Sequence, residues 1–179
     1  ADQVRGSGAR YVEAPFTGSR PAAESKKLVF YLGGSDEDLD LAEPTLELLS
    51  ETRLRIGTVA QAASLKLAMN LQIAVQMQGM CESLAFARRA EISDDIFFEA
   101  FEVNAGYSGL TKLKEPKLRD ADWAPQFSVK HMLKDMRLAL RSTRDKPLPF
   151  LKAIQERLNA AQEKGWGELD FSALYRNLE

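Results

Sequence analysis

The stretch that decides the fold runs from Thr58 to Cys81 and reads TVAQAASLKLAMNLQIAVQMQGMC. Lys66 is its only charged residue. Five side-chain amides are spread along it: Gln61, Asn70, Gln72, Gln76 and Gln78. These amides make the stretch too polar for a membrane span, and it is too long for a strand. The pattern therefore predicts a long buried helix, from about Val59 to Ala90.

Every element predicted after this helix is a helix, a loop or a turn. We expect first a helix capped by Ser93, and then a loop-rich stretch through Pro116 and Pro125. An amphipathic helix follows, opened by Ser128 and broken by Pro147 and Pro149. The chain is then expected to form a helix that runs to Lys164, a turn at Gly165-Trp166-Gly167, and a short terminal helix capped by Asp170.

Three short strands are predicted before the long helix. They cover Tyr11 to Phe16, Leu28 to Leu32 with the Gly33-Gly34 turn after it, and Arg53 to Ile56. Ser35 is expected to cap a helix that has acidic residues in its first turn and runs to about Ser50.

Three strands are few for a sheet, and strands joined by helices usually have further neighbours. Either the chain is a compact α+β domain, or it lacks the front of a larger sheet. The second interpretation is favoured because residues 1–10 begin inside an element, with no helix start signal. The predicted fold class is mainly α with a small α/β N-terminal part.

Composition narrows the class of protein. The net charge of −2 does not suggest nucleic acid or an anionic membrane as a partner. A single cysteine, Cys81, excludes an internal disulfide framework, and the N-terminus has no signal pattern, so a cytoplasmic location is expected. The segment from Lys112 to Lys146 has ten basic and five acidic residues. It is either a solvated face or a contact for a phosphate-bearing ligand.

Lys66 is the first candidate for chemistry. An ammonium on an apolar helix either extends its tip into water or lies in a polar pocket that faces a ligand. In such a pocket, desolvation favours the neutral amine and suits the lysine for proton transfer. Asn70 follows four residues later, on the same helix face, and could hold an oxygen of the same ligand.

Other candidates are weaker when taken alone. Thr17-Gly18-Ser19 is either a plain turn or a small anion cradle of hydroxyls and backbone N–H groups. The neighbours Lys134 and Asp135 are typical of surface charge. His131, the only histidine, is expected to be structural, and Cys81 to lie in the core. No metal site and no phosphate-binding glycine fingerprint are found.

Taken in order, these pieces resemble the β-hydroxyacid dehydrogenases, the family of 3-hydroxyisobutyrate dehydrogenase and of the glyoxylate and succinic semialdehyde reductases. The segments that carry the resemblance are Tyr11–Ser19, Leu28–Gly34 with its acidic helix, Gly57 and Val59 with Lys66 and Asn70, Glu82 and Ala85, Phe127 with Lys134, Asp135 and Leu138 to Leu140, and Gly165, Gly167, Asp170 and Ser172.

The resemblance implies two domains and an NAD(P)-dependent oxidation or reduction of a small β-hydroxy acid or its semialdehyde. Residues 1–57 would be the last strands of a Rossmann-type domain, and residues 58–179 an all-helical catalytic and dimerisation domain that forms a homodimer.

The same resemblance implies roles for the candidate residues. Lys66 would exchange a proton with the substrate oxygen, and Asn70 would orient that oxygen. The Thr17-Gly18-Ser19 turn would bind the carboxylate of the substrate. Lys134, held by Asp135, would approach the nicotinamide ribose, in the segment that begins at Phe127.

Three departures from the family pattern matter. Thr17 and Ser19 replace a serine and a glycine, and Ala60 and Ala62 replace two glycines before the lysine. The glycine fingerprint for the pyrophosphate is missing, so this chain alone is not expected to hold a dinucleotide. The chain is then a fragment of a complete enzyme or, alternatively, a truncated, non-catalytic helical dimerisation module.

Overall fold

The computed structural model describes residues 1–143, 146 and 148–179. The strands are β1 (Phe16–Thr17), β2 (Leu28–Gly33) and β3 (Ser50–Gly57). The helices are α1 (Asp2–Gly6), α2 (Arg20–Glu24), α3 (Asp36–Glu47), α4 (Val59–Arg89), α5 (Asp94–Glu102), α6 (Gly109–Arg119), α7 (Val129–Ser142) and α8 (Pro149–Glu163), followed by a 3₁₀ helix (Phe171–Asn177). This order of strands and helices confirms the predicted fold class.

The chain divides into two compact units, residues 1–69 and 70–179, and α4 contributes residues to both. The predicted boundary at 57/58 lies at the start of α4 and stays a prediction. No helix in the described part of the chain is long and apolar enough to cross a membrane.

The first unit contains a three-stranded sheet in the order β1-β2-β3. Strand β2 pairs antiparallel with β1 and parallel with β3. Its buried side chains pack on α3 through Leu39. Ser35 caps α3 as predicted, since its hydroxyl accepts the N–H of Asp38 at 3.2 Å.

Strand β1 is shorter than the predicted Tyr11 to Phe16. Upstream of it, Glu13 pairs with Gly33 only as an isolated bridge. Pro15 lies between Glu13 and β1 and has no N–H to donate. Its carbonyl still accepts the N–H of Tyr31 at 2.8 Å. The ladder is therefore interrupted at the proline.

The carboxyl end of β2 packs closely on the start of α4. A Cβ added at Gly33 would lie 2.5 Å from the Thr58 carbonyl oxygen and 2.8 Å from the Cβ of Ala62. Ala62 is fully buried, whereas Ala60 is exposed. Of the two alanines that replace family glycines, only Ala62 therefore constrains this packing.

In the second unit, helices α4 to α8 and the 3₁₀ helix share one apolar core. Its fully buried side chains include Met77, Leu84, Met132, Met136, Leu158 and Leu174. Pro149 begins α8 as its first residue, a position where the missing proline N–H costs nothing. The predicted break at Pro147 lies outside the described residues.

The prediction of a loop through Pro116 was wrong. The stretch expected to be a loop through Pro116 contains helix α6, which Ser108 caps by accepting the N–H of Thr111 at 3.3 Å. The helix continues past the proline, since Asp120 N–H donates to the Pro116 carbonyl at 3.0 Å. Its inner face buries two lysines, Lys114 and Lys117.

Candidate functional site

Lys66 and Asn70 lie one turn apart on α4. Lys66 is half-buried, and Asn70 is only 3% exposed. A buried amide needs hydrogen-bond partners. Asn70 Nδ2 donates to Asp135 Oδ2 at 2.6 Å, so the amide is anchored to α7.

Asp135 is a buried carboxylate with partners on both oxygens. Oδ2 accepts from Asn70, and Oδ1 lies 3.0 Å from Lys134 Nζ. The side chain of Lys134 is 61% exposed, whereas that of Asp135 is 9% exposed. The carboxylate thus holds an ammonium that still faces solvent, and such an ammonium can contact a hydroxyl or anionic group of a ligand.

Phe127 stands just before α7 and is half-buried. Its ring packs edge-on against Phe171, with ring centroids 6.2 Å apart, and lies 6.1 Å from the His131 ring. His131 has a structural partner, because its Nδ1 lies 2.7 Å from the hydroxyl of Ser128.

The Thr17-Gly18-Ser19 turn begins at the last residue of β1 and precedes α2. Gly18 has φ +131°, and a Cβ there would lie 2.8 Å from Leu28 Cδ2. Only glycine fits this position without strain. The turn therefore has a shape that requires glycine, and its role in anion binding stays a prediction.

In the second unit, a hydrogen bond joins Asn70 to Asp135 and an ion pair joins Asp135 to Lys134. Lys66 and the turn belong to the first unit. Sequence reasoning thus selected three residues that meet, although Lys134 and Asp135 looked like surface charge by themselves.

A buried ion pair in the second unit was not predicted from the sequence. Lys114 Nζ lies 2.8 Å from Asp170 Oδ1 and 2.9 Å from Oδ2, with relative exposures of 1% and 0%. Burial lowers the pKa of Lys114, and the Asp170 carboxylate opposes this shift. Burial by itself would raise the pKa of Asp170, but Lys114 and two backbone N–H groups outweigh it and hold the pKa below its usual value.

The basic segment from Lys112 to Lys146 is therefore not one solvated face. Lys114 and Lys117 are buried and paired with Asp170 and Asp122. Cys81 is buried as predicted, and burial raises the pKa of its thiol, so it is not a nucleophile at neutral pH.

Comparisons with known proteins identify the family of this chain. Residues 60–178 match the family model described as NAD-binding of NADP-dependent 3-hydroxyisobutyrate dehydrogenase. Glyoxylate/succinic semialdehyde reductase 1 of Arabidopsis thaliana is 30% identical over 97% of this chain and 61% of its own length. The cytokine-like nuclear factor N-PAC of Aedes aegypti is 30% identical over 98% of this chain and 32% of its own length.

A crystal structure of 3-hydroxyisobutyrate dehydrogenase from Salmonella typhimurium has the same fold, with a TM-score of 0.90 at 23% identity, over 99% of this chain and 63% of that one. The chain thus spans less than two thirds of the length of these relatives. The family match covers well over half of the chain and confirms the resemblance found in the sequence. The chain belongs to the 3-hydroxyisobutyrate dehydrogenase family of NAD(P)-binding oxidoreductases.

Proposed function

We propose that the protein to which this chain belongs is an NAD(P)-dependent oxidoreductase that acts on a small β-hydroxy acid or the corresponding semialdehyde, with Lys66 as proton donor or acceptor. Family membership supports the reaction class. The observation that carries the assignment of residues is the hydrogen bond of 2.6 Å between Asn70 and Asp135, because it ties the helix of Lys66 to the helix of Lys134.

In this mechanism NAD(P) supplies or accepts the hydride. In reduction, Lys66 gives a proton to the carbonyl oxygen of the semialdehyde, and in oxidation it takes the proton back. Asn70 holds that oxygen in place. The Thr17-Gly18-Ser19 turn binds the carboxylate of the substrate through its hydroxyls and N–H groups.

The chain fits only one end of the dinucleotide. Lys134 exposes its ammonium while Asp135 anchors it, and this suits contact with ribose hydroxyls. Phe127 offers an apolar surface beside the same helix. From the family resemblance, we infer that residues 1–57 are the end of a Rossmann-type domain. Because the sequence contains no glycine fingerprint for the pyrophosphate, we also infer that this chain alone does not hold NAD(P).

The decisive experiment is Lys66→Ala in the polypeptide encoded by the complete reading frame, with kcat/KM measured on glyoxylate, succinic semialdehyde and 3-hydroxyisobutyrate. Loss of proton transfer is expected to lower kcat by about a hundred- to ten-thousandfold. Lys152→Ala, on the exposed face of α8, is the matched control and should keep full activity. Undiminished turnover of Lys66→Ala would contradict the assignment.

A second candidate function is a non-catalytic helical dimerisation module. Similarity to a protein named as a nuclear factor supports it. Four large apolar side chains among the described residues of the second unit are exposed by 60% or more and also support it: Phe86, Ile96, Val103 and Phe150. Fluorescence titration of the polypeptide encoded by the complete reading frame with NADH and NADPH, combined with sedimentation, separates the two. A dimer that binds neither dinucleotide favours the module. Binding with turnover favours the enzyme. For that enzyme we also propose a cytoplasmic location and a homodimer.

A further inference from the structure

Residues 120–128 join α6 to α7 and are named here the Pro125 loop. Two buried lysines of α6 hold this loop. Lys117 Nζ donates to the Ala124 carbonyl at 2.7 Å and to Asp122 Oδ2 at 3.0 Å. Lys114 Nζ donates to Gln126 Oε1 at 3.0 Å. The loop is therefore fixed from the side of α6.

Asp170 holds the same loop from the C-terminal side. Its Oδ2 accepts the backbone N–H groups of Gln126 at 2.9 Å and Phe127 at 3.2 Å. Its Oδ1 accepts the N–H of Ser172 at 3.1 Å. Its own N–H donates to the Trp123 carbonyl at 2.9 Å. One buried carboxylate thus connects the loop to the 3₁₀ helix.

The start of α7 depends on the same segment. Ser128 stands at the N-cap position but makes no side-chain cap bond. Instead, the N–H of Val129 donates to the Leu169 carbonyl at 2.9 Å, and that of Lys130 to the Gly167 carbonyl at 3.0 Å. Two N–H groups of the first turn are therefore satisfied by backbone that immediately precedes Asp170.

We propose that Asp170, paired with Lys114, is a positioning residue that fixes the start of α7 and thereby places Phe127, Lys134 and Asp135 for the dinucleotide. This inference rests on the proposed function. Asp135 lies within about two turns of the start of α7, roughly 10 Å along the axis, so a shift of the first turn carries it along.

The charge of Asp170 is needed for this role. A carboxylate accepts on two oxygens, and here both are used by N–H groups and by Lys114 Nζ. Asparagine in its place would offer one oxygen only. Lys114 keeps Asp170 ionised in the interior, where an unpaired charge would not be tolerated.

Hydrogen exchange of the full chain tests the proposal without any substrate. In Asp170→Asn, the amides of Gln126 and Phe127 lose a charged acceptor, and those of Val129 and Lys130 lose the fixed position of the segment that precedes residue 170. All four are expected to exchange roughly ten- to hundredfold faster. The amides in the middle of α8, around Leu158, should change much less. An equal rise in both places would overturn the proposal, because it would report general destabilisation.

Two further variants make the result specific. Lys130→Gln breaks an exposed ion pair with Glu168 that joins the same two segments, and it should leave the exchange rates unchanged. Lys114→Met/Asp170→Asn removes both charges of the buried pair. It is therefore expected to fold even if Asp170→Asn, which leaves Lys114 unpaired, does not. It should still exchange faster at the loop or at Ser172, because one oxygen cannot serve all three N–H groups. Rates equal to those of the unchanged chain would overturn the proposal.

The functional readout uses the polypeptide of the complete reading frame. Asp170→Asn and the double variant are expected to raise the KM for the dinucleotide roughly ten- to hundredfold, with a smaller effect on the KM for the acid or aldehyde. A loosened loop with an unchanged dinucleotide KM would overturn the positioning role. Failure of the proposed function is seen separately, as turnover retained in Lys66→Ala while the exchange result stands.

Discussion

Asn70 Nδ2 and Asp135 Oδ2 lie 2.6 Å apart, although 65 residues separate them in the chain. Both residues are buried, with exposures of 3% and 7%. The bond joins α4 to α7 and connects two segments that the sequence linked only through family resemblance. Its contribution to the free energy of unfolding can be measured without substrate or dinucleotide.

We expect Asn70→Ala to lower the free energy of unfolding by about 1 to 3 kcal/mol, because it leaves a buried carboxylate oxygen without its donor. Asn70→Asp should cost more at pH 7, since it brings two carboxylates together. Urea unfolding measures both effects. Asn159→Ala removes a hydrogen bond to Arg137 at the surface and should change stability by less than about 0.5 kcal/mol. Equal losses of stability in Asn70→Ala and Asn159→Ala would contradict the contribution assigned to the buried bond.

Much of the fold was predictable because its signals are local. The long apolar helix was predicted to within a residue at its C-terminal end. The caps at Ser35, Ser93 and Asp170 were predicted from residue type, and each accepts an N–H as expected. A cap acts within three residues of itself, so one sequence is enough to find it.

Helix α6 and its ion pair were not predictable in the same way. Lys114 looks like a solvated residue until Asp170, 56 residues later, is known to face it. The spacing of Thr111, Lys114 and Leu118 contains a helical signal, but only if the aliphatic part of a lysine is counted as apolar. Long-range partners of this kind decide burial and cannot be read from local spacing.

A second prediction concerns acid stability. Hydrogen bonds from Arg88, at 2.8 and 2.5 Å, hold the pKa of Asp94 below its usual value. A carboxyl group with a lowered folded pKa stabilises the protein above its unfolded pKa of about 3.9, and that stabilisation is lost as the pH falls through the folded value. Asp94→Asn should therefore be less stable than the unchanged chain at pH 7, and the difference should shrink below about pH 4.

Unfolding midpoints in urea between pH 7 and pH 3 measure this difference. Asp95→Asn is the matched control, because it removes the same charge from the next residue, whose side chain is 93% exposed. It should give a much smaller difference at pH 7. A gap between Asp94→Asn and the unchanged chain that stays constant with pH would contradict the assigned cause.

The last prediction compares two glycines of contrasting geometry. Gly18 has φ +131°, and an added Cβ would lie 2.8 Å from Leu28 Cδ2 and 3.1 Å from the Cβ of Ala22. Gly79 lies within α4, and an added Cβ would meet nothing within 4 Å. Gly18→Ala is therefore expected to destabilise the chain by about 1 to 3 kcal/mol through backbone strain and crowding. Gly79→Ala should stabilise it by roughly 0.5 to 1 kcal/mol, because alanine favours the helix.

Thermal unfolding of the two variants beside the unchanged chain measures the expected loss of stability in Gly18→Ala and the expected gain in Gly79→Ala in one experiment. A Gly18→Ala variant as stable as the unchanged chain would mean that the turn is not held in the shape described. That shape is what the proposed binding of a substrate carboxylate requires, since the N–H groups of Gly18 and Ser19 can converge on an anion only if the backbone there is fixed. The stability of Gly18→Ala therefore tests the rigidity of the turn before any substrate is chosen.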